Sequence, residues 1–344
     1  MKELFKNRLG RVVSPKTVDF IERPVMEPAD DEVVVKIVAS AICGSDMHIF
    51  SGRHPSVPLP VIIGHEFSGD VAAIGKGVRR VEPGDRITVE PCIVCGKCDA
   101  CLRGHYGYCE HIGFTYRNGD GAMANYITVK EARVYPLPAH LSYQAGALIE
   151  PLSVATHAVR RADVGLGEKV LVIGAGAIGI LVTALCRLRE AGDIALCDHS
   201  AARLAMAREF GASRTINPRE GDDLEKAARE ISSGAGMDKS FECVGRESTF
   251  IQAMTSFRRN GLATIIGIFE EPNIRIDAMR FINYEIRVQG SQGYCWDFPI
   301  ALKMSERIDL EKLITHEFPL DDLQKALETC LDPREESIKL VLRP

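Results

Sequence analysis

The pattern of apolar and polar residues changes near residue 155. Before it, short runs rich in β-branched residues, such as DEVVVKIVAS and DRITVEP, alternate with turns that contain Gly and Pro. Such runs predict short strands in a folded-over antiparallel or barrel-like domain. After it, apolar strands and amphipathic helices alternate, which predicts a doubly wound parallel sheet.

The second region begins with the strand in KVLVIGAGAIG and the helix ILVTALCRLRE. The later strand and helix candidates are DIALCD, SAARLAMAREFG, RTIN, DDLEKAAREIS, KSFECVG, a further helix and LATIIGI. After residue 290 the alternation is lost, and we expect the strand-like IKLVLRP to pair back onto the first domain. We therefore predict an α/β chain with a β-rich domain at 1–153 and 291–344 and a parallel-sheet domain at 154–290.

Composition excludes several functional classes. The 344 residues, 46% of them hydrophobic, are enough for a large core and about two domains. Because the net charge is -5 and no block of like charges occurs, we expect neither nucleic acid nor a membrane surface as a partner. No apolar run reaches the roughly 18 residues of a membrane span, and the charged start MKELFKNRLGR does not resemble a signal peptide. We expect a cytoplasmic protein that acts on a small molecule.

The eleven cysteines are odd in number and unevenly distributed, which argues against a secreted disulfide framework. Four of them, Cys95, Cys98, Cys101 and Cys109, occur in CGKCDACLRGHYGYC, with a spacing suited to one tetrahedral zinc ion. An iron–sulfur cluster also takes four thiolates but usually with other spacings, and a redox role is a further alternative. We predict a structural zinc site and interpret Cys92, outside the pattern, as a small apolar residue.

A glycine motif lies between a predicted strand and a predicted helix. Gly174, Gly176 and Gly179 form G-x-G-x-x-G, and Asp198 follows the next strand. In dinucleotide-binding domains such glycines let the pyrophosphate approach a helix N-terminus, and the acidic residue binds ribose hydroxyls. The alternative is a glycine-rich turn in an unrelated sheet. We predict further cofactor contacts at Ala177, Ile178, Arg203, Val244, Gly267 and Ile268.

The choice between NAD and NADP depends on charges near Asp198. A carboxylate on the ribose hydroxyls would repel the 2′-phosphate of NADP. Arg203, with help from His199, would favour that phosphate because a guanidinium pairs with it. We expect Asp198 to decide and therefore predict NAD.

The first region holds residues that suit a second metal site. Cys43 occurs in AICGSDMH, His65 and Glu66 in GHEFSG, and Glu150 in ALIEPLSVATHA. A thiolate, an imidazole and a carboxylate, with one position left for water or substrate, describe an open catalytic zinc site. Each residue alone has an ordinary explanation as a core, turn or capping residue. Their setting among apolar strands favours metal binding, since buried charges are costly unless they are paired or metal-bound.

These motifs, with VEPGDRI and FECVG, resemble the zinc-dependent medium-chain alcohol dehydrogenases over nearly the whole chain. GHE and EPLSVATHA are most similar to the polyol branch, the sorbitol (L-iditol) and butanediol dehydrogenases, and less so to the threonine dehydrogenases. The resemblance implies a GroES-like catalytic domain beside a Rossmann NAD-binding domain, two zinc ions per chain, and a homodimer or homotetramer. The chain departs from the Cys₂His site of alcohol dehydrogenase, since a glutamate stands in place of the second cysteine.

The resemblance also implies roles for individual residues. Cys43, His65 and Glu66 would bind the catalytic zinc, while Glu150 would hold the metal-bound water or join the ligands transiently. The zinc would act as a Lewis acid on the substrate hydroxyl as hydride passes to the nicotinamide. Ser45 would take the first step of a proton relay and His48 the second. The alternatives are an N-cap serine and an exposed histidine.

The substrate is left open by the sequence. The candidates for the pocket wall are His48, Phe50, Phe114, Tyr116 and Tyr294. Gly293 precedes Tyr294 where polyol dehydrogenases often carry an arginine, which argues against sorbitol itself. We expect a polyol, sugar alcohol or diol, with threonine or a sugar acid as alternatives. A zinc-free reductase and a non-catalytic nucleotide sensor are less compatible with the metal-type residues.

Overall fold

The computed structural model describes residues 2–54, 57–115 and 120–344. They form two compact units, which we call unit 1 (Met1–Glu150 with Leu302–Pro344) and unit 2 (Pro151–Ala301). Within these described ranges no helix is both long and apolar enough to cross a membrane.

The described residues contain strands and α-helices that we number in chain order. The strands are β1 (Glu3–Ser14), β2 (Thr17–Met26), β3 (Glu32–Ala41), β4 (Glu66–Ile74), β5 (Arg86–Val89), β6 (Cys92–Ile93), β7 (Gly113–Phe114), β8 (Tyr126–Lys130), β9 (Val134–Pro136), β10 (Val170–Ile173), β11 (Ile194–Cys197), β12 (Arg214–Ile216), β13 (Met237–Glu242), β14 (Phe257–Ile265), β15 (Arg287–Gly290), β16 (Ile314–Pro319) and β17 (Lys339–Arg343). The helices are α1 (Gly44–Phe50), α2 (Asp99–Leu102), α3 (Tyr143–Ala147), α4 (Ile149–Ala162), α5 (Ala177–Leu188), α6 (Ala201–Glu209), α7 (Leu224–Ile231), α8 (Glu247–Thr255), α9 (Met279–Tyr284), α10 (Phe298–Met304) and α11 (Leu323–Leu331).

Unit 1 is built on a sheet with the order β16-β17-β3-β4-β5-β9, in which β8 also pairs with β3. Strand β3 occupies the centre because its run of valines is fully buried. The C-terminal strand β17 pairs antiparallel with β3, with Val341 opposite Ala41. This pairing confirms the prediction that IKLVLRP returns to the first domain.

A long hairpin of β1 and β2 was not predicted from the sequence. The two strands pair antiparallel from Glu3 opposite Met26 to Ser14 opposite Thr17. Charged residues interrupt the alternation of apolar positions there, so the period-2 signal is weak. An ion pair between Arg11 and Asp19, with 2.7 Å between Nη2 and Oδ2, links the two strands.

Unit 2 contains a wholly parallel sheet with the order β12-β11-β10-β13-β14-β15. Strands β11 and β12 are added on one side of β10, and strands β13 to β15 on the other. Ligands bind at such topological switch points, beyond the carboxyl ends of the strands. All four residues of β10 are buried, as expected for a central parallel strand. The doubly wound sheet predicted from the sequence is confirmed.

Candidate active site

In unit 1, two neighbouring strands bring three metal-type side chains together. Cys43 lies between β3 and α1, where it is the N-cap of α1, and Glu66 begins β4 directly after His65. Because Ala41 pairs with Glu66 across β3 and β4, Cys43 comes close to both residues. One donor atom from each of Cys43, His65 and Glu66 lies within 4.8 Å of the others.

Two of the three residues are buried, Cys43 is partly buried, and further acidic side chains lie nearby. His65 is 4% exposed and Glu66 is fully buried. Burial lowers the pKa of His65, but the opposing effects of Cys43, Asp46 and Glu150 prevail and raise the pKa to about 10. A dication neutralises such a cluster, and sulfur, nitrogen and oxygen donors all suit zinc. The three residues therefore fit a zinc ion.

Asp46 fixes the backbone next to the candidate ligands, a role that the sequence analysis missed. Its carboxylate accepts hydrogen bonds from the N–H of Cys43 at 2.9 Å and of Gly64 at 3.2 Å. Its Oδ1 also lies 3.8 Å from His65 Nδ1. Burial raises the pKa of Asp46 despite these partners. The available signal was its place in CGSD, three residues after the N-cap, where an acid completes a capping box.

Lys339 of β17 is the second residue that the sequence analysis missed. Its Nζ lies 2.5 Å from both carboxylate oxygens of Glu66 and donates to the carbonyl of Ile42 at 3.2 Å. Burial lowers the pKa of Lys339, but Glu66 and Cys43 reverse the effect and raise it. Lys339 thus offsets the charge of one candidate ligand.

The other predicted catalytic residues lie close to this group. Glu150, in the first turn of α4, is 4% exposed and near enough to raise the pKa of His65, but it lies outside the group of three. Ser45 is 8% exposed on α1, whose N-cap is Cys43, so the N-cap alternative for Ser45 is wrong. His48 follows on the same helix and is half-buried, which corrects the alternative of an exposed histidine.

The aromatic candidates for the pocket wall separate into different environments. The ring of Phe114 meets that of His65 edge-on, with centroids 5.6 Å apart at 62°. Phe50 is fully buried in the apolar core, so its prediction as a pocket residue is wrong. Tyr294 is 1% exposed in unit 2, with its ring centroid 6.1 Å from that of Phe298. Tyr116 lies outside the described residues.

The four-cysteine segment forms a compact loop, which we call the cysteine lobe (residues 95–109). The Sγ atoms of Cys95, Cys98, Cys101 and Cys109 lie within 4.8 Å of one another, and none is in a disulfide. Cys95 Sγ accepts a hydrogen bond from the Cys98 N–H at 3.3 Å. Backbone N–H groups, first that of Lys97, lower the pKa of Cys95 to about 6. The pKa of Cys98 is also lowered, by the backbone N–H groups of Cys101 and Glu110. Four converging thiols, two of them with lowered pKa values, fit a tetrahedral metal ion.

In unit 2 the glycine motif has the geometry that its spacing predicts. Gly174 has φ +100°, a turn conformation that favours glycine. A Cβ at Gly179 would lie 1.8 Å from the carbonyl oxygen of Gly174, so only glycine permits this approach of helix to strand. Gly176 is the N-cap of α5, and a Cβ there would meet nothing within 4 Å. The N-terminus of α5 is therefore open to an anion.

Asp198 stands beside this turn, directly after β11. Its carboxylate accepts hydrogen bonds from the N–H of Ala175 at 2.7 Å and of Ser200 at 2.9 Å. Arg203 is half-buried on α6, and its backbone N–H donates to Ser200 Oγ.

The remaining predicted contacts lie at the start of α5 (Ala177, Ile178) and beyond the carboxyl ends of β13 and β14 (Val244, Gly267, Ile268). Exposed Val244 and Ile268, at 39% and 43%, offer apolar surface to a planar ring.

Known proteins resemble the chain over nearly its full length. Residues 29–139 match the alcohol dehydrogenase GroES-like domain, and residues 177–307 match the zinc-binding dehydrogenases. The sorbitol dehydrogenase of Bacillus subtilis (strain 168) is 34% identical over 327 residues, which cover 93% of this chain and 92% of that protein.

Solved structures give the same result. An Escherichia coli oxidoreductase/dehydrogenase of unknown specificity involved in membrane biogenesis is 33% identical, with a TM-score of 0.93 over 98% of this chain and 99% of that one. A structure described as a zinc-binding dehydrogenase of Sinorhizobium meliloti 1021, bound to NADP, is 29% identical, with a TM-score of 0.92 over 99% and 100%. The chain therefore belongs to the zinc-dependent medium-chain alcohol dehydrogenase family, as an oxidoreductase of the branch that contains the sorbitol dehydrogenases.

Proposed function

We propose that this protein oxidises a secondary alcohol group of a polyol, sugar alcohol or diol with NAD. The observation that carries the proposal is the group of partly buried Cys43 and buried His65 and Glu66, whose donor atoms lie within 4.8 Å of one another. Similarity to a sorbitol dehydrogenase supports the substrate class. When bound there, zinc supplies Lewis acidity toward the substrate hydroxyl, and NAD is the hydride acceptor.

The chain's own residues prepare the site for this chemistry. Asp46 accepts hydrogen bonds from the backbone N–H of Cys43 and from that of Gly64, which precedes His65. Lys339 offsets the charge of Glu66. We assign Glu150, outside the group of three, to a hydrogen bond with the substrate hydroxyl or a water in its place. Ser45 accepts the hydroxyl proton and passes its own proton toward His48 on the same helix. Unit 1 is thus the catalytic domain and unit 2 the NAD-binding domain.

Replacing Ser45 by alanine is expected to lower kcat for alcohol oxidation near neutral pH by about 10²-fold, the lower end of the range for lost acid–base assistance, because a water can partly replace the hydroxyl. The dissociation constant for NAD should not change, because Ser45 belongs to unit 1. Steady-state rates between pH 6 and 10 measure the effect, with Ser14→Ala as the control. An unchanged pH profile would remove Ser45 from the relay.

The cofactor preference follows from Asp198. Like charges about 4 Å apart repel by roughly 4 kcal/mol at an effective dielectric constant near 20, and solvent reduces this. The NADP in the S. meliloti structure shows that this fold also holds the phosphorylated cofactor. We nevertheless assign NAD, because the Asp198 carboxylate is fixed beside the glycine turn by the N–H groups of Ala175 in that turn and of Ser200.

The wild-type enzyme should favour NAD over NADP by at least about tenfold in kcat/KM, and Asp198→Ala should narrow that ratio because it removes the repulsion. Initial rates with both cofactors at pH 7 measure the ratio. The matched control is Asp193→Ala, which changes an exposed aspartate just before β11. A preference for NADP in the wild type would mean that Arg203, rather than Asp198, determines which cofactor the protein prefers.

A substrate panel tests the activity itself. Zinc-loaded protein with NAD is offered polyols, diols, threonine and sugar acids, and NADH formation is followed. We expect the highest kcat/KM with a polyol or diol, and a weaker rate with sorbitol because Gly293 occupies the position of the expected arginine. A clear preference for threonine or a sugar acid would establish the second candidate function. NADH formation with none of them would refute the proposal.

We also propose that the protein is a homo-oligomer, a dimer or tetramer. Strand β15 lies at the edge of the unit 2 sheet, and the segment before it exposes apolar side chains. These are Ile276 (42% exposed), Met279 (53%), Ile282 (71%) and Tyr284 (38%). Sedimentation equilibrium measures the state, and a monomer at micromolar concentration would contradict it.

A further inference from the structure

The cysteine lobe is closed at its base by a short two-stranded ladder. Strand β6 enters the lobe and β7 leaves it, with Cys92 opposite Phe114 and Ile93 opposite Gly113. Cys92 is 3% exposed, so the first residue of the entering strand is anchored in the interior, while Ile93 is exposed. A metal ion that ties the four thiolates together therefore also fixes where β7 leaves the lobe.

Strand β7 leads directly to the candidate zinc ligands. The ring edge contact of Phe114 with His65 joins β7 to a candidate ligand, with 5.6 Å between centroids. The next residue, Thr115, is buried, and its hydroxyl faces the carbonyl oxygen of Gly64 at 3.4 Å. Two consecutive residues after the lobe thus contact His65 and the residue before it.

A separate contact anchors the lobe to the sheet. Tyr106, in the lobe, is 6% exposed, and the guanidinium carbon of Arg133 lies 4.4 Å from its ring centroid. Arg133 donates at 2.9 Å to the fully buried carboxylate of Glu90, two residues before β6. The lobe is therefore held both at Tyr106 and at its base, where Phe114 pairs with Cys92.

We propose that the lobe and the β6–β7 ladder orient His65 through Phe114, so that metal binding in the lobe increases metal affinity at Cys43, His65 and Glu66. Phe114 is a positioning residue in this scheme. The inference rests on the proposed function, since it takes both groups as zinc sites. Hydrogen-bonded partners that orient a metal-bound histidine typically contribute 10- to 100-fold to metal affinity, and we expect the lower figure for the ring contact of Phe114. Coupling between two binding sites is reciprocal.

The test measures metal affinity rather than turnover. Zinc is titrated against a chromophoric chelator, and the cobalt(II)-substituted protein supplies the absorption spectrum of each site. We expect Phe114→Ala to weaken the Cys43–His65–Glu66 site about tenfold and to change its cobalt spectrum, while the lobe site keeps its affinity when it is titrated with the other site empty. Phe114→Tyr keeps the ring and should keep the affinity. Phe318→Ala, a partly buried phenylalanine of the same apolar cluster on β16, is the control.

A double-mutant cycle tests the coupling itself. Cys98→Ser, which removes a lobe ligand, should weaken the catalytic site in the wild-type background but have less than about a twofold effect when Phe114 is already alanine. Unchanged affinity in Phe114→Ala, or independent effects of the two changes, would overturn the proposal while both zinc sites stand. Wild-type protein that binds no metal at Cys43, His65 and Glu66 would refute the proposed function, and this inference with it.

Discussion

Replacing His65 by alanine is expected to lower kcat/KM for alcohol oxidation by at least about 10³-fold. A Lewis acid contributes several kcal/mol to transition-state stabilisation, and each 1.4 kcal/mol is about tenfold in rate. His65 supplies the only nitrogen donor in its group of three, so its loss leaves a thiolate and a carboxylate that Lys339 already holds. Steady-state kinetics with the best substrate of the panel measure the change.

The effect should be confined to chemistry. Far-UV circular dichroism should be unchanged, because the apolar core clusters of unit 1 do not include His65. His140→Ala is the matched control, since His140 is exposed and its imidazole is bonded to Ser305. A His65→Ala enzyme that retains a tenth of the wild-type activity would show that the reaction does not depend on this group.

The second large effect is expected from Lys339→Met, which leaves the Glu66 carboxylate buried beside an apolar side chain. Breaking a buried ion pair typically costs about 3–5 kcal/mol, because the remaining charge has lost its partner. Both side chains are at most 5% exposed, so solvent cannot replace the ammonium group. Urea unfolding of the chelator-treated protein should show a loss of this size in the free energy of unfolding.

Two further variants isolate the cause. Adding Glu66→Gln to Lys339→Met should restore much of the stability, since no charge then remains buried without a partner. Zinc should also reduce the loss, because a metal ion replaces the lysine as counter-charge. Lys130→Met is the control, since Lys130 makes an exposed ion pair with Asp31 that contributes at most about 1 kcal/mol. Equal losses in both lysine variants would contradict the account.

The fold could be predicted where apolar strands and amphipathic helices alternate clearly along the chain. The strands and helices from β10 to β14 follow the predicted alternation because parallel strands are buried on both faces and read as continuous apolar runs. The β1–β2 hairpin was missed since its charged residues pair across the strands, as Arg11 does with Asp19, rather than marking a loop. Such pairing is a tertiary property that the pattern of a single strand does not contain.

The site shows the same limit. Residues in local motifs, such as Cys43 and the His65–Glu66 pair, could be identified because their chemistry and spacing are unusual in an apolar setting. Lys339 lies 273 positions from Glu66 in the chain, and a lysine in a strand is normally exposed. Phe50 was misassigned because an aromatic residue near a metal motif reads alike whether it lines a pocket or packs in the core.

The central claim is that the group of Cys43, His65 and Glu66 holds a catalytic zinc separate from the zinc of the cysteine lobe. Measuring the metal content tests this claim most directly. Elemental analysis of freshly purified, active protein should give two zinc ions per chain, one for each group of converging donors. Cys43→Ala should give one and lose activity, while Cys98→Ala should also lose one zinc but lower the thermal stability, since structural zinc contributes folding free energy. One zinc or none in the active wild-type enzyme, or two in Cys43→Ala, would contradict the account.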